Sequence, residues 1–418
     1  MLICLIKPPQ TYLADPERNP PLGLMYIGSV AENLGHTVNL VDLSSKTDSD
    51  EYLSFIPDAE VYGFTVSVMD YKVCHQLAAE LKERRQCLVI FGGMFPTCVP
   101  ELVNYDVVNS IIIGEGERAF KDLLSDISEK KILSRKYISP QIENLDSISF
   151  PLRKGTNFIN TSLLSGNLAS TTIITTRGCP FECAFCASNS IWGRNVRFRS
   201  SQNVLKEIDT LIEGYNVEGL RFLDDTMTLR LDFFKKLCYG LKERSITWRC
   251  STKSNLVTKD LAQIMYDSGC DEVGIGIESA DQGILDFMNK KVKVKQHEAA
   301  IRILKNAGIR ITCFFMTGLP GESESTPDLN LEFIKKTNPD RVFCTTFMPY
   351  PGTDVWNNPE KYKIRILSRD FTKYHMVSGV GEEDREFIAI PYGMTQEKLY
   401  LNRKKMIDFL SGEGKIRR

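Results

Sequence analysis

The stretch TRGCPFECAFCASNSIWG, Thr176 to Gly193, holds three cysteines, Cys179, Cys183 and Cys186, in the spacing C-x3-C-x2-C. It follows the β-branched run from Thr171 to Ile174 and leads into a helix-like segment. Three thiolates carried by one short loop make a soft-ligand site. No fourth Cys or His lies close by in the sequence, and the next cysteine is Cys238. A structural zinc site closes with four ligands, whereas three leave one position open for chemistry. On its own the loop leaves zinc, a purely redox cluster and buried unliganded thiols as alternatives.

Around this loop the chain has 418 residues, 42% hydrophobic and 25% charged, which is ordinary for a soluble globular protein of two or three domains. Its 52 basic and 53 acidic residues leave a net charge of -1, so no global field draws it to nucleic acid or anionic lipid. A polynucleotide substrate is therefore disfavoured. The start, MLICLIKPPQ, has an apolar run too short for a signal peptide, and no stretch reaches membrane-spanning length. A cytoplasmic, reducing location is expected, with the cysteines outside the triplet acting as small buried hydrophobes.

Residues 1–130 alternate apolar runs with amphipathic segments, the pattern of a parallel sheet covered by helices. Strands are expected at 2–6, 37–41, 61–64, 87–91 and 110–113. Helices are expected at 22–34, ending at Gly35, at 71–84 with Asp70 as N-cap, and at 117–127. This predicts a flavodoxin-like or Rossmann-like domain, in which ligands bind past the carboxyl ends of the strands. The loops there contain Pro9, then Thr65 and Ser67, then Gly92, Gly93, Pro96 and Thr97, then Gly114, Glu115 and Gly116. Glycines let a bulky ligand approach the backbone, and Thr65, Ser67 and Thr97 offer hydroxyls to it. G-x-G-x-x-G does not follow the first strand, which argues against NAD. Residues 131–168 read as an irregular linker.

From Thr171 strands are expected at 171–176, 219–223, 246–250, 272–277, 309–316 and 341–345, separated by helical stripes. Six strand-helix units fit a partial barrel whose chemistry sits at the strand C-termini. There lie Asp224 and Asp225, equally readable as a helix N-cap; Ser251 and Lys253; and Glu278, a carboxylate closing a fully apolar strand. Residues 354–418 include Trp356, Tyr374, His375 and an expected final helix over 396–410. They are placed over the open side of the barrel, near substrate, with Lys398, Arg403, Lys404 and Lys405 read as a solvated face.

At the cysteine loop the sequence resembles the radical S-adenosylmethionine (SAM) enzymes, whose signature is this spacing with an aromatic residue, here Phe185, before the last cysteine. The resemblance implies that Cys179, Cys183 and Cys186 hold a [4Fe-4S] cluster whose fourth iron is chelated by SAM. It continues through Phe222-Leu223-Asp224-Asp225, similar to an F-x-D-D-like motif near the SAM amino group, and Gly276-Ile277-Glu278-Ser279, similar to a G-x-E-S element facing the ribose. It ends with Thr317-Gly318-Leu319-Pro320-Gly321-Glu322 and the segment from Met348 to Thr353. The implied SAM-binding set is Phe185, Asp224, Asp225, Ser251, Lys253, Glu278, Gly318, Pro320 and Met348. Lys253 stands near a position where many relatives carry arginine, so a point charge replaces a bidentate fork.

The stretches PPLGLMYIGSVAENLGHTVNLVD, GFTVSV, FGGMFPT and IIGEGE resemble the cobalamin-binding domain that precedes the radical SAM domain in one large subfamily. This implies cobalamin contacts from Pro9, Thr65, Ser67, Gly92, Gly93, Pro96, Thr97, Gly114, Glu115 and Gly116. The D-x-H-x-x-G motif is absent, so no histidine is expected on cobalt, and its lower face is either empty or filled by another group.

The implied organisation is an α/β chain: a cobalamin-binding domain (1–130), a linker (131–168), a partial (β/α)6 radical SAM barrel (169–353) and a small, partly helical substrate-side segment (354–418). The implied activity cleaves SAM to a 5'-deoxyadenosyl radical and methylates an unactivated carbon of a small molecule, such as a natural-product precursor, through methylcobalamin. An external electron donor such as flavodoxin or ferredoxin is required. Three alternatives stand: a non-methylating oxidation, cyclisation or rearrangement with the same cofactors; a methylthiotransferase-like enzyme without cobalamin; and a non-enzymatic metal-binding protein. The methylthiotransferase is disfavoured because Cys4, Cys74, Cys87 and Cys98 do not form that family's N-terminal cluster set.

Overall fold

The computed structural model describes residues 1–154, 157–374 and 386–415; His375 lies outside them. The first domain runs β1 (Leu2–Lys7), α1 (Leu22–Asn33), β2 (Thr37–Asp42), β3 (Val61–Thr65), α2 (Tyr71–Arg84), β4 (Leu88–Gly92), α3 (Met94–Cys98), β5 (Ser110–Ile113), α4 (Gly116–Ser128) and β6 (Lys136–Ile138). All six strands are parallel, in the order β2-β1-β3-β4-β5-β6. The short apolar runs form the strands because both faces of the sheet are covered. Cys4, Ile6, Phe64 and Phe91 pack on one side, and Ile3, Leu5, Ile90 and Ile112 on the other.

Two local expectations differ from the structure. Asp70 makes no capping bond to α2, because its carboxylate instead accepts hydrogen bonds from Tyr12 (2.7 Å) and Ser67 (2.6 Å). The stretch read as linker contributes β6, whose three residues are too few for a periodic signal and whose buried Tyr137 packs on the first domain's core.

The second unit contains β7 (Ser170–Ile173), β8 (Thr176–Arg177), α5 (Ser188–Trp192), β9 (Arg197–Phe198), α6 (Ser201–Tyr215), β10 (Gly219–Phe222), α7 (Leu231–Glu243), β11 (Thr247–Thr252), α8 (Lys259–Asp267), β12 (Cys270–Glu278), α9 (Gln282–Phe287), α10 (Val294–Asn306), β13 (Arg310–Thr317), α11 (Thr326–Thr337) and β14 (Arg341–Thr346). A parallel six-stranded sheet runs β7-β10-β11-β12-β13-β14, each strand beside its sequence neighbour, as strand-helix repeats dictate. The expected strand 171–176 breaks after Ile173, and Thr176–Arg177 turns away to pair antiparallel with β9. That break sends the cysteine loop across the sheet's C-terminal edge.

The tail adds α12 (Asp354–Asn357), an antiparallel pair β15 (Ile364–Ile366) and β16 (Ala389–Pro391), and α13 (Gln396–Gly412). Helix α13 buries Met406, Ile407 and Leu410 in the barrel's hydrophobic core and so covers the β13–β14 side. Its basic residues are not uniformly solvated. Lys398, Lys404 and Lys405 pair with carboxylates at the surface, whereas Arg403 is buried.

Candidate active site

Gly178, at φ +100°, lets the chain leave β8 toward Cys179; a side chain there would collide with the Asn195 carbonyl. The loop is pinned on both sides. The Ala184 amide donates to the Met288 carbonyl (3.0 Å), Asn289 donates to the Glu182 carbonyl (2.9 Å), and the Val355 amide donates to the Ala184 carbonyl (3.1 Å). Cys179 and Cys183 are half-buried and Cys186 is exposed. Enclosure by protein lifts the Cys179 thiol above its ordinary range, and Asp225 and the neighbouring Cys183 thiol add to this. The Phe181 amide and the Thr226 hydroxyl reach Cys179, and the Ser188 amide reaches Cys186, donors suited to sulfur in its anionic form. Phe185 packs in a cluster with Ala184, Met288, Leu319 and Phe347.

Around the loop stand the other strand ends. Asp224 is buried and accepts hydrogen bonds from the Thr175 amide (3.1 Å) and the hydroxyls of Thr175 (2.8 Å) and Thr176 (2.6 Å). It thereby ties the end of β10 to the start of the cysteine loop. Asp225 is exposed and bonds Ser188. Ser251 is partly exposed at the end of β11, where the neighbouring Thr252 hydroxyl bonds Thr228 (2.5 Å). Lys253 is buried, 3.5 Å from the Phe181 ring centroid, and its Nζ has no hydrogen-bond partner among the described residues. Burial holds its ammonium below the usual lysine range, with the Cys183 and Cys179 thiols pulling the other way.

Glu278 ends β12 at φ +66°, a left-handed conformation rare for a non-glycine residue, next to an irregularity in the pairing with β13. Its Oε1 accepts from Lys290 Nζ at 2.7 Å, both side chains being buried. Gly276 makes room: a Cβ there would meet the Glu278 carboxylate and lie 2.9 Å from Lys290 Nζ. Buried His297 bonds Ser254 (2.5 Å) and is pushed down to about 3 by burial and by Lys290 and Lys253. Gly318 and Pro320 are buried in the turn after β13, held by Glu322, whose carboxylate accepts from the Gly318 amide (2.5 Å) and Asn402 Nδ2 (2.8 Å). Met348 packs with the first domain's core, bridging the two units.

In the first domain an apolar cavity of about 400 Å³ opens at the strand C-termini, lined by Leu5, Gly63, Thr65, Gly92, Gly93, Ile112, Gly114 and Gly116 and, from the second unit, by Arg177, Ile191 and Trp192. Glycines create the space. A Cβ on Gly63 would lie 2.7 Å from Leu5, and one on Gly116 would lie 2.7 Å from Ile27. Pro9 and Pro96 are buried beside these loops. Several polar residues of the expected binding set are already engaged within the protein. Ser67 bonds Asp70; Thr97 donates to the Gly93 carbonyl (2.7 Å) and accepts from the Gly114 amide (3.0 Å). Glu115 pairs with Arg177 (3.0 Å) and Arg197, and Glu117 also pairs with Arg177. Lys290, Glu117, Arg177 and Arg197 are missing from the expected set. Glu117 and Arg177 lie in stretches already singled out, but nothing local marks the pairing of any of the four, because their partners lie on other elements.

These features fit the implied cofactors. Three cysteines on one loop, two of them reached by protein donors, with a buried ammonium lacking a hydrogen-bond partner among the described residues and a second buried lysine, suit an anionic metal-sulfur group with an anionic ligand beside it. Among the described residues no three His, Cys, Asp or Glu side chains converge as a single ion requires; a cubane takes its thiolates on separate irons and imposes no such convergence. The glycine-lined cavity suits a large apolar ligand.

Comparison with known proteins agrees with the geometry. The Radical SAM superfamily profile matches residues 173–334, and the B12 binding domain profile matches residues 16–124. An uncharacterised methyltransferase of Pyrococcus horikoshii is 28% identical over 391 residues, covering 86% of this chain and 83% of its own. The anaerobic magnesium-protoporphyrin IX monomethyl ester cyclase of Rubrivivax gelatinosus is 24% identical over 402 residues, covering 87% and 70%. In fold the chain is similar to the radical SAM methyltransferase TsrM from Kitasatospora setae, solved with cobalamin and a [4Fe-4S] cluster, with TM-score 0.69, 17% identity, and coverage of 84% of this chain and 73% of that one. With a radical SAM domain matched over residues 173–334 and a B12 binding domain matched over residues 16–124, the protein combines the two domains that define the cobalamin-binding-domain-containing radical SAM enzymes.

Proposed function

We propose that this chain is a cobalamin-dependent radical SAM methyltransferase that methylates an unactivated carbon of a small-molecule substrate. The carrying observation is the shared cavity: the glycine loops of the first domain and Arg177, Ile191 and Trp192, which bracket the cysteine loop, line one space. A methyl carrier and a radical source are thereby neighbours.

In this reading Cys179, Cys183 and Cys186 hold the cluster. Lys253, unpartnered and buried, takes the SAM carboxylate, because a buried ammonium without an anion is costly. Glu278 faces the ribose, Asp225 the amino group, and Phe185, Gly318, Pro320 and Met348 pack around the adenosine and methionine parts. Asp224 acts by positioning, since its hydrogen bonds go to Thr175 and Thr176. Gly92, Gly93, Gly114 and Gly116 let a corrin approach the backbone, with Pro9, Thr65, Ser67, Pro96, Thr97 and Glu115 shaping those loops. When bound, the cluster supplies one electron to cleave SAM and the corrin supplies the methyl group, while the protein orients substrate and excludes water.

The reading includes a cobalamin-binding unit over residues 1–130, a barrel over 169–353 and a substrate-side segment over 354–418. It also includes an external electron donor of the flavodoxin or ferredoxin type and a cytoplasmic location. Among the described residues no helix is long and apolar enough to cross a membrane. The similarity to a cyclase supports a second reading, a non-methylating radical reaction with the same cofactors. Anaerobically prepared protein should contain iron, sulfide and corrinoid and release 5'-deoxyadenosine from SAM; a product heavier by one methyl group supports the first reading and any other product the second. Retained deoxyadenosine release in Cys183→Ala would reject the cluster assignment.

A further inference from the structure

The turn between α9 and α10 delivers one buried cation to the cysteine loop. Met288 and Asn289 are stitched to that loop by hydrogen bonds from the Ala184 amide (3.0 Å) and to the Glu182 carbonyl (2.9 Å). Asn289 (φ +54°) and Lys291 (φ +52°), both left-handed, flank Lys290, so the chain enters and leaves that residue through conformations that L-residues seldom adopt. Lys290 itself is buried, 5.5 Å from the Phe185 ring centroid, with Cys183 and Cys186 within its electrostatic reach. Its neighbour Lys291 is exposed and pairs with Glu182 at the surface.

Stability alone does not account for this arrangement. A buried ion pair contributes little net stability against an apolar replacement. Here the pair also requires a left-handed Glu278, an irregular strand pairing and a glycine at position 276. Each of these holds the ammonium against Glu278 beside the cysteine loop, 5.5 Å from the Phe185 ring centroid. Lys253 differs, because its Nζ stands over the Phe181 ring with no hydrogen-bond partner among the described residues, whereas Lys290 is fixed by its bond to Glu278.

We propose that Lys290 is a positioning residue for the reaction, a fixed counter-charge that favours the reduced, more negative state of the cluster held by Cys179, Cys183 and Cys186. The inference rests on the cluster reading above. One electron from a low-potential carrier adds one negative charge to a group already anionic through its three thiolates, and a fixed cation nearby stabilises the product over the reactant. Glu278, bonded to that cation, opposes it. The two side chains therefore act on the cluster with opposite sign, which a loss of packing alone would not produce.

The test is a redox titration of the SAM-free, cluster-loaded protein, monitored by electron paramagnetic resonance, for wild type, Lys290→Gln, Lys290→Arg and Glu278→Gln. At a fixed potential Lys290→Gln should lower the reduced-to-oxidised ratio about tenfold, equivalent to about 59 mV downward for a one-electron couple. That is the scale for one unit charge at roughly 10 Å in a medium of effective dielectric about 20. Lys290→Arg should stay near wild type and Glu278→Gln should move upward. If Lys290→Gln assembles no cluster, the Arg and Glu278 variants decide: an unshifted or downward Glu278→Gln potential overturns the proposal. Equal potentials in all four proteins overturn it too. Wild-type protein without four-iron content defeats the cluster reading instead, and iron and sulfide assays separate the two failures.

Discussion

Glu115→Gln tests whether the two domains are joined by buried charge. Glu115 and Arg177 meet at 3.0 Å with side chains 1% and 4% exposed, and Arg197, 3% exposed, reaches the same carboxylate. With Glu117 the group holds two cations and two anions, so neutralising one carboxylate leaves an uncompensated buried positive charge. Breaking a buried pair costs about 3–5 kcal/mol. The low end applies, because Arg177 keeps Glu117 and Arg197 keeps the carbonyls of Ile142 (2.9 Å) and Trp192 (3.2 Å). An exposed pair contributes only about 0.2–1 kcal/mol. With a urea slope on the order of 3 kcal/mol per molar, a loss of about 3 kcal/mol lowers the unfolding midpoint by about 1 M. Urea titration of metal-free protein followed by circular dichroism measures it. Raised salt should leave the difference intact, since buried pairs are screened weakly. A midpoint within about 0.2 M of wild type, or a difference abolished by salt, would refute the reasoning by giving the group the energetics of a surface pair.

Gly116→Val should obstruct the first-domain cavity, because even a Cβ there lies 2.7 Å from Ile27; corrinoid absorbance after reconstitution should be lost while iron content persists, and normal corrinoid content would place the ligand elsewhere. Glu322 is pushed up to about 7 by burial, against the bonds from Asn402 and Gly318, from an ordinary 4.5. Its contribution is therefore fully present below about pH 4.5 and is lost as pH rises through about 7. The difference in urea midpoint between wild type and Glu322→Gln should accordingly change between pH 5 and pH 8, and a constant difference would contradict the assignment.

Apart from the short β6, the strands of both sheets are readable from the sequence to within a few residues because parallel strands buried on both faces leave continuous apolar runs, and Ser110–Ile113 forms β5 with the expected bounds. Caps made by local hydroxyls are equally readable: Thr258 accepts from the Leu261 amide as its position before an apolar stripe suggests. Long-range pairing is less so. Asp224 looks like a ligand residue or a cap, yet it bonds Thr175 and Thr176 about fifty residues earlier. Lys290 sits in a run, Lys290-Lys291-Val292-Lys293, whose other two lysines pair at the surface, and it is a buried cation whose partner, Glu278, lies on another element. Glycine loops advertise an approach of ligand to backbone, but which hydroxyls remain for the ligand depends on contacts between loops, as Thr97 shows.

The connector also bears on how this enzyme is recombined with its relatives. Beyond β6, Gln141 donates to the Trp192 carbonyl (2.9 Å), the Ile142 amide donates to Glu115 (3.4 Å), and Arg197 donates to the Ile142 carbonyl. A chimera cut at residue 130 or at residue 168 therefore divides a shared piece of architecture. The exchangeable module is the first domain together with residues 136–142 and the arginine-bearing β8–β9 ribbon that receives them. Swaps respecting that seam are the ones expected to keep the buried charges of Glu115, Arg177 and Arg197 paired.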